Sequence, residues 1–330
     1  MTVRVGINGF GRIGRSVFRI LSERDDLEVV AINDLYDNEQ LAYLLKYDTV
    51  MGQFTKPVTV DEESMTAGDD RVAMTSIPDP EKIPWGDLGV DVVVESTGVF
   101  RTRAPLEKHL AAGAGKVVLT VPPKDPVDAI IVLGVNDDQL DDSHRIVSNA
   151  SCTTNCLAPL AKVIDDAFGI EEGLITTVHA YTNDQRLADV PHRSIRRSRA
   201  AAENIIPTTT GAAKAVAKVM PHLDGKLDGL AMRVPVPDGS IVDLVCRTRE
   251  VADVAAINAA VKEAAEGAFA RIIQYTEDPL VSSDIIGNPH SSIFDALSTE
   301  ARGDGYVGVV AWYDNEWGYS NRVVDLLTRL

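Results

Sequence analysis

Apolar residues follow two rhythms along this chain of 330 residues. In the first half they form short runs: Val3–Ile7, Glu28–Asn33, Asp91–Glu95, Lys116–Thr120, Ala129–Val132 and Arg145–Val147. Runs this short, apolar and rich in β-branched residues predict strands buried on both faces, the habit of parallel sheets. Between strands the spacing shifts to three and four. Ile13, Val17, Phe18, Ile20 and Leu21 mark one helical face, and Leu106 and Leu110 mark another within a helix predicted over Arg103–Ala112. Strands alternating with helices predict an α/β, doubly wound sheet covered on both sides.

The second half alternates apolar and polar residues in Gly173–Val178, Ile241–Arg247 and Tyr306–Trp312. Helical spacing occurs after residue 152, at Leu157, Leu160, Ala161 and Ile164, and again over Ala212–Met220. This half reads as an α+β domain with a mixed or antiparallel sheet. The expected division is 1–150 and 151–315, with a C-terminal helix within 316–330 packing back on the first domain.

Composition narrows the classes. With 45% hydrophobic and 25% charged residues, the chain resembles an ordinary globular protein. Its start reads as a strand rather than an export signal. No apolar run approaches the ~20 residues that cross a bilayer. The expectation is a cytoplasmic protein with no membrane partner. A net charge of −17 argues against nucleic acid. The three cysteines make no disulfide framework. Cys152 and Cys156 lie one helical turn apart without further ligands nearby in sequence, so no metal is expected.

The first strand runs into Gly9-Phe10-Gly11-Arg12-Ile13-Gly14, then a helix, a second strand and Asp34, about 20 residues after the third glycine. In that setting the glycines have distinct tasks. Gly9 permits a tight turn, Gly11 lets backbone approach a pyrophosphate, and Gly14 allows close helix packing. The pattern predicts a Rossmann-type dinucleotide-binding domain. Asp34 suits two ribose hydroxyls and repels a 2′-phosphate, favouring NAD over NADP.

The run Ser148-Asn149-Ala150-Ser151-Cys152-Thr153-Thr154-Asn155-Cys156 places a thiol where a helix is expected to begin. Free N–H groups there carry partial positive charge, which favours a thiolate, so the expected pKa is depressed. A thiolate attacks carbonyl carbon. His179, at the end of a strand in a polar setting, is the best-placed of the six histidines to act as acid–base partner. Thr208-Thr209-Thr210-Gly211 before a helix, Arg233 at a strand end, and the cluster Arg193, Arg196, Arg197 and Arg199 are candidate oxyanion ligands. Cys156 reads as core.

These segments together resemble the phosphorylating glyceraldehyde-3-phosphate dehydrogenases, nearly end to end. The resemblance is carried by Asn8–Gly14, Glu95-Ser96-Thr97-Gly98, Ala150–Cys156, Thr208–Lys214, Met232-Arg233-Val234-Pro235 and Trp312–Ser320. It implies that Cys152 is the nucleophile and His179 its acid–base partner. It implies that Ser151, Thr153, Thr182, Arg199, Thr210, Gly211 and Arg233 bind the phosphates of glyceraldehyde 3-phosphate and inorganic phosphate. Arg12, Ile13, Asp34, Thr120 and Asn315 match cofactor positions, with Asn315 on the nicotinamide carboxamide. NAD, a homotetramer and the formation of 1,3-bisphosphoglycerate follow from the same likeness. One departure is Ile77-Pro78-Asp79-Pro80, where members commonly carry Glu-Arg-Asp-Pro, so Pro78 replaces an arginine expected beside adenine. Erythrose-4-phosphate dehydrogenase, which shares the scaffold, and a thiol redox-sensing protein without turnover are the alternative readings.

Overall fold

A computed structural model describes residues 2–330. The chain divides into two compact units, one of residues 2–131, 138–150 and 320–330, the other of residues 132–137 and 151–319.

The first unit is built on a nine-stranded sheet. Its parallel part runs, in spatial order, through Ala129–Ile130, Ile146–Ser148, Lys116–Leu119, Val92–Glu95, Val3–Asn8, Leu27–Asn33 and Asp70–Thr75. All four residues of Val92–Glu95 are buried, as are Val5, Ile7, Val117 and Val118. This burial on both faces explains why these strands read as continuous apolar runs. The apolar pattern left one feature unread. At the Asp70–Thr75 edge, Ser64–Ala67 and Val58–Val60 pair antiparallel. The expected helix is present as Arg103–Ala111, with Leu106 buried against Val117, Leu119 and Ile146. At the C-terminus, Lys116 Nζ donates to the Leu330 carbonyl at 2.8 Å, tying the last residue to this unit.

The second unit holds a mixed eight-stranded sheet. Ile170–Ala180 pairs parallel with Leu227–Val234 on one side and antiparallel with Ser240–Thr248 on the other. Tyr306–Tyr313 extends it antiparallel. Ser240, Val242, Leu244 and Cys246 point inward while Val245 and Arg247 are exposed, the alternation of a sheet covered on one face. The helix Cys152–Phe168 is buried along most of its length. The last helix spans Trp317–Leu327, inside the expected 316–330. Asp314 sets its start: its Oδ1 accepts the backbone N–H groups of Glu316 and Trp317 at 2.8 and 2.6 Å.

Candidate active site

The helix Cys152–Phe168 begins at the thiol. Ser151 is its N-cap, and its Oγ accepts the Thr154 N–H at 3.1 Å. The residue before it, Ala150, has φ 55, alone among described non-glycine residues on the positive side. Holding a Cβ there costs roughly 1–3 kcal/mol, so backbone strain is stored two residues from the sulfur.

Strand periodicity brings the partner. Along Ile170–Ala180, Ile175, Thr177 and His179 fall on the buried face. His179 therefore belongs to the strand itself rather than to the loop after it. Its Nε2 lies 3.5 Å from Cys152 Sγ. The parallel neighbour strand sets Arg233 directly beside His179 in register. Arg233 Nη1 donates to the Ala180 carbonyl at 2.9 Å, and its Nε is buried without a hydrogen-bond partner.

The electrostatics differ from expectation. Burial pushes the Cys152 thiol up, not down. The Arg233 charge and hydrogen bonds from Thr153 oppose the rise without reversing it. Burial, then Arg233, hold the His179 imidazole at about 3. The resting pair is thus a thiol facing a neutral imidazole, because helix-end stabilisation is outweighed by loss of solvent. Moving the S–H proton onto Nε2 charges both groups together. At this separation the opposite charges regain roughly 4 kcal/mol at an effective dielectric near 20. Transfer within the pair is the route by which this geometry can form a thiolate.

Tyr313 was not singled out by sequence. Its buried Oη shares 2.9 Å hydrogen bonds with Thr153 Oγ1 and Thr177 Oγ1, and its ring meets the His179 ring edge-on at 5.8 Å. It therefore joins the helix bearing the thiol to the strand bearing the imidazole. Asn315 Oδ1 accepts the Ser240 hydroxyl at 2.5 Å, and Ser240 Oγ accepts the Ala180 N–H at 3.0 Å. That arrangement turns the Asn315 Nδ2 donor toward other uses.

The remaining anion candidates lie on separate elements of this unit. Thr210 Oγ1 accepts the Ala212 N–H at 3.1 Å, and Gly211 is the N-cap of Ala212–Val219 with open space around its Cα. Thr182 N–H donates to Gln185 Oε1 at 3.2 Å. Arg199 is exposed, its Nε held by Asp189 Oδ2 at 2.8 Å. Arg197 is the arginine whose charge reaches His179 and Arg233; its Nε donates to Thr208 Oγ1 at 3.1 Å and it pairs with Asp184. The loop thus turns Arg197 toward the imidazole, where the likeness had pointed to Arg199. Cys156 is buried against Ser292 and the Ala311 carbonyl, a core position.

In the first unit, a cleft of about 290 Å³ is lined by Asn8, Gly9, Gly11, Asp34, Pro78 and Thr97 among others. Gly9 has φ +93, and a Cβ on Gly14 would sit 2.2 Å from the Gly9 carbonyl oxygen, so neither position accepts a side chain. Gly11 has open space and caps the helix Arg12–Leu21 without a side-chain acceptor, leaving first-turn N–H groups for an anion. Ile13 is half-buried in that turn. Asp34 Oδ2 accepts the Phe10 N–H at 2.7 Å and Oδ1 the Tyr36 N–H at 3.1 Å, fixing the carboxylate at the cleft wall. The donor set fits a dinucleotide. Two expected side-chain contacts are otherwise engaged. Arg12 pairs with Asp48, and the Thr120 hydroxyl donates to the Glu95 carbonyl at 3.0 Å. Pro78 lines the cleft where the likeness expected a cation.

Comparison with known proteins agrees with both halves. Residues 3–103 match the family model described as glyceraldehyde 3-phosphate dehydrogenase, NAD binding domain, and residues 151–315 match the C-terminal domain of the same family. The chain is 56% identical over 328 residues to glyceraldehyde-3-phosphate dehydrogenase 2 of Streptomyces avermitilis, covering 99% of this chain and 98% of that protein. It is 56% identical over 335 residues, with the same coverage, to the glyceraldehyde-3-phosphate dehydrogenase of Mycobacterium tuberculosis.

Proposed function

The chain belongs to the glyceraldehyde-3-phosphate dehydrogenase family, and from its geometry we propose how its residues carry the NAD-dependent, glycolytic oxidation of glyceraldehyde 3-phosphate. The observation that supports the assignment most directly is the 3.5 Å approach of Cys152 Sγ to His179 Nε2.

His179 Nε2 takes the thiol proton as sulfur bonds to the aldehyde carbon, then returns it to the new oxyanion, giving a thiohemiacetal. The backbone N–H at the start of Cys152–Phe168 and the Nε2 hydrogen stabilise that oxygen. NAD, when bound, supplies the hydride acceptor. His179 removes the hydroxyl proton as the hydride leaves, so the carbonyl re-forms as a thioester on Cys152. Inorganic phosphate adds to the acyl carbon, and the thiolate departs beside the imidazolium, yielding 1,3-bisphosphoglycerate. Covalent attachment divides one difficult reaction into smaller steps. Arg233 holds phosphate or oxyanion charge next to the reacting centre, with Ser151, Thr153, Thr182, Arg197, Thr210 and Gly211 as further anion donors. In the first unit, Gly9, Gly11, Gly14 and Asp34 receive NAD.

The reading extends to a cytoplasmic homotetramer. Leu187 and Ile195 in the 184–204 segment, and Leu174, Leu230 and Val245 on the open sheet face, expose apolar surface suited to copies of the same chain. Among the described residues no helix is long and apolar enough to cross a membrane.

The test is NADH absorbance with glyceraldehyde 3-phosphate, inorganic phosphate and either NAD or NADP. Phosphate-dependent NADH formation is expected, lost in Cys152→Ser and slowed roughly 10²–10⁴-fold in His179→Asn. Undiminished turnover in Cys152→Ser, or a loss below about threefold in His179→Asn, removes the assigned roles.

A further inference from the structure

Asp238 and Asp314 are both 1% exposed in the second unit. Asp238 sits in the turn between the strands Leu227–Val234 and Ser240–Thr248. Gly239 at φ +81 presses that turn against the Ser282 carbonyl. Asp238 Oδ1 accepts the Gly239 N–H at 2.8 Å, while its Oδ2 is buried with no donor facing it. The oxygens of Asp314 are well supplied: Oδ1 takes the N–H groups of Glu316 and Trp317, and Oδ2 takes that of Gly287 at 2.7 Å.

The two carboxyls lie within hydrogen-bonding reach of each other. Ionised carboxylates only accept hydrogen bonds, so this contact needs a proton. The oxygens of Asp314 already accept three backbone N–H groups, which need no proton on that carboxyl. Asp238 has one donor and an orphaned oxygen, which leaves it as the protonated member. The charged groups acting on Asp238 are Asp314 and Glu316, both acidic, and its own charge bears on Cys152. Two residues on, Ser240 donates to Asn315 and accepts from Ala180, beside His179. The turn and the 314–315 segment are therefore joined at adjacent points.

We propose that Asp238 is a positioning residue kept as a neutral acid, sharing its proton with Asp314 so as to fix Asn315 and spare Cys152 a neighbouring negative charge. The catalytic benefit rests on the roles read above for Cys152 and Asn315; the protonation does not. Burial beside two carboxylates pushes Asp238 up to about 9. An ordinary carboxyl titrates near 4. From that lower pH upward the folded protein must retain a proton that the unfolded chain gives up. Stability contributed by Asp238 is full below about 4 and declines until about 9.

Three measurements test this. The infrared spectrum of the unaltered protein at pH 7 should show a protonated-carboxyl stretch that vanishes above about pH 9 and is missing from Asp238→Asn. In Asp314→Asn, where the repelling charge is gone, the band should disappear at lower pH. Asp238→Asn keeps an acceptor for Gly239 and a donor for Asp314. Its Tm should exceed that of the unaltered protein by a gap smallest near pH 5, widening by several degrees toward pH 9 and constant beyond. Above pH 9, iodoacetamide should alkylate Cys152 faster in Asp238→Asn. Absence of the band, or an Asp238→Asn variant less stable by the same amount at every pH, overturns the proposal. Were the band and the Tm gap present without phosphate-dependent NADH formation, the proton-sharing would stand and the catalytic reading would fall.

Discussion

Arg233 Nη1 lies 2.6 Å from Nδ1 of His179. The same Nδ1 is 2.7 Å from the Ala180 carbonyl oxygen. A guanidinium only donates and a carbonyl only accepts, so Nδ1 satisfies one partner at a time. With its hydrogen on the Ala180 oxygen, His179 presents a lone pair at Nε2 and can take the thiol proton. Taking it gives an imidazolium whose Nδ1 hydrogen stays on the Ala180 oxygen, and the Nε2 hydrogen of that imidazolium is the one given back. With Arg233 donating to Nδ1 the ring hydrogen sits on Nε2, which then cannot accept the thiol proton, so the Ala180 carbonyl selects the tautomer that serves as base.

This relationship yields a prediction for Arg233→Gln. Removing the cation takes away a charge that favours the thiolate and disfavours the imidazolium. The Cys152 titration should move upward and that of His179 upward from about 3. The rate of iodoacetamide alkylation against pH should shift to higher pH, and kcat/KM should fall roughly 10²-fold or more, since buried charged contacts are worth several kcal/mol. An unchanged alkylation profile would show that Arg233 does not act on the thiol.

Arg197 and Arg199 separate by the same logic. Arg197 exerts its charge on His179, whereas Arg199 is exposed and bound to Asp189. Arg197→Ala should raise KM for glyceraldehyde 3-phosphate or phosphate about tenfold or more. Arg199→Ala should change it less than about threefold, within the ~0–1 kcal/mol of an exposed pair. Steady-state kinetics of the two variants decide between them, and the reverse ranking would restore Arg199 as the anion ligand.

Asp34 carries two loads, the Phe10 and Tyr36 N–H groups and the cleft wall. Asp34→Ala should therefore weaken NAD binding while relaxing discrimination against NADP, because the charge that repels a 2′-phosphate is gone. The ratio of kcat/KM for the two cofactors measures it. A ratio identical to that of the unaltered protein would contradict the ribose assignment.

Much of the site was legible because it is local. Ser151 before Cys152 is an N-cap signal, and Gly9, Gly11 and Gly14 occupy a turn whose geometry admits few alternatives. The apolar run Gly173–Val178 led to His179, although the strand continues through Ala180 and carries His179 on its inner face. What escaped notice depends on contacts distant in sequence. Tyr313 meets Thr153 across 160 residues, and nothing in its neighbourhood marks it. Asp238 becomes unusual only because the fold sets it against Asp314. Arg197 and Arg199 lie in an irregular segment without a period to say which one turns inward. The direction of the Cys152 shift was missed because a helix N-terminus is visible in sequence, while the depth of desolvation is not.

Glu95 gives the last prediction. It is fully buried, and donors surround it. Oε2 accepts Asn8 Nδ2 at 2.6 Å and faces His109 Nε2 at 3.1 Å, while Oε1 accepts the Thr97 N–H at 2.9 Å and the Thr97 hydroxyl. Trp85 Nε1 donates to His109 Nδ1 at 3.0 Å, so the His109 hydrogen must lie on Nε2, pointing at Glu95. In Glu95→Gln, whichever way the amide turns, its NH₂ meets two donors. Leaving such groups unpaired costs roughly 1–3 kcal/mol. That corresponds to a Tm lower by several degrees in a domain of this size. Asn8 and Thr97 also line the cleft, and Thr97 N sits where a Cβ on Gly9 would fall, 2.7 Å away. Loosening them should raise KM for NAD more than it lowers kcat, a split that a uniform loss of folded protein would not produce. Calorimetry with steady-state kinetics at varied NAD checks both parts; unchanged Tm and KM would mean that Glu95 is not the anchor of this cleft.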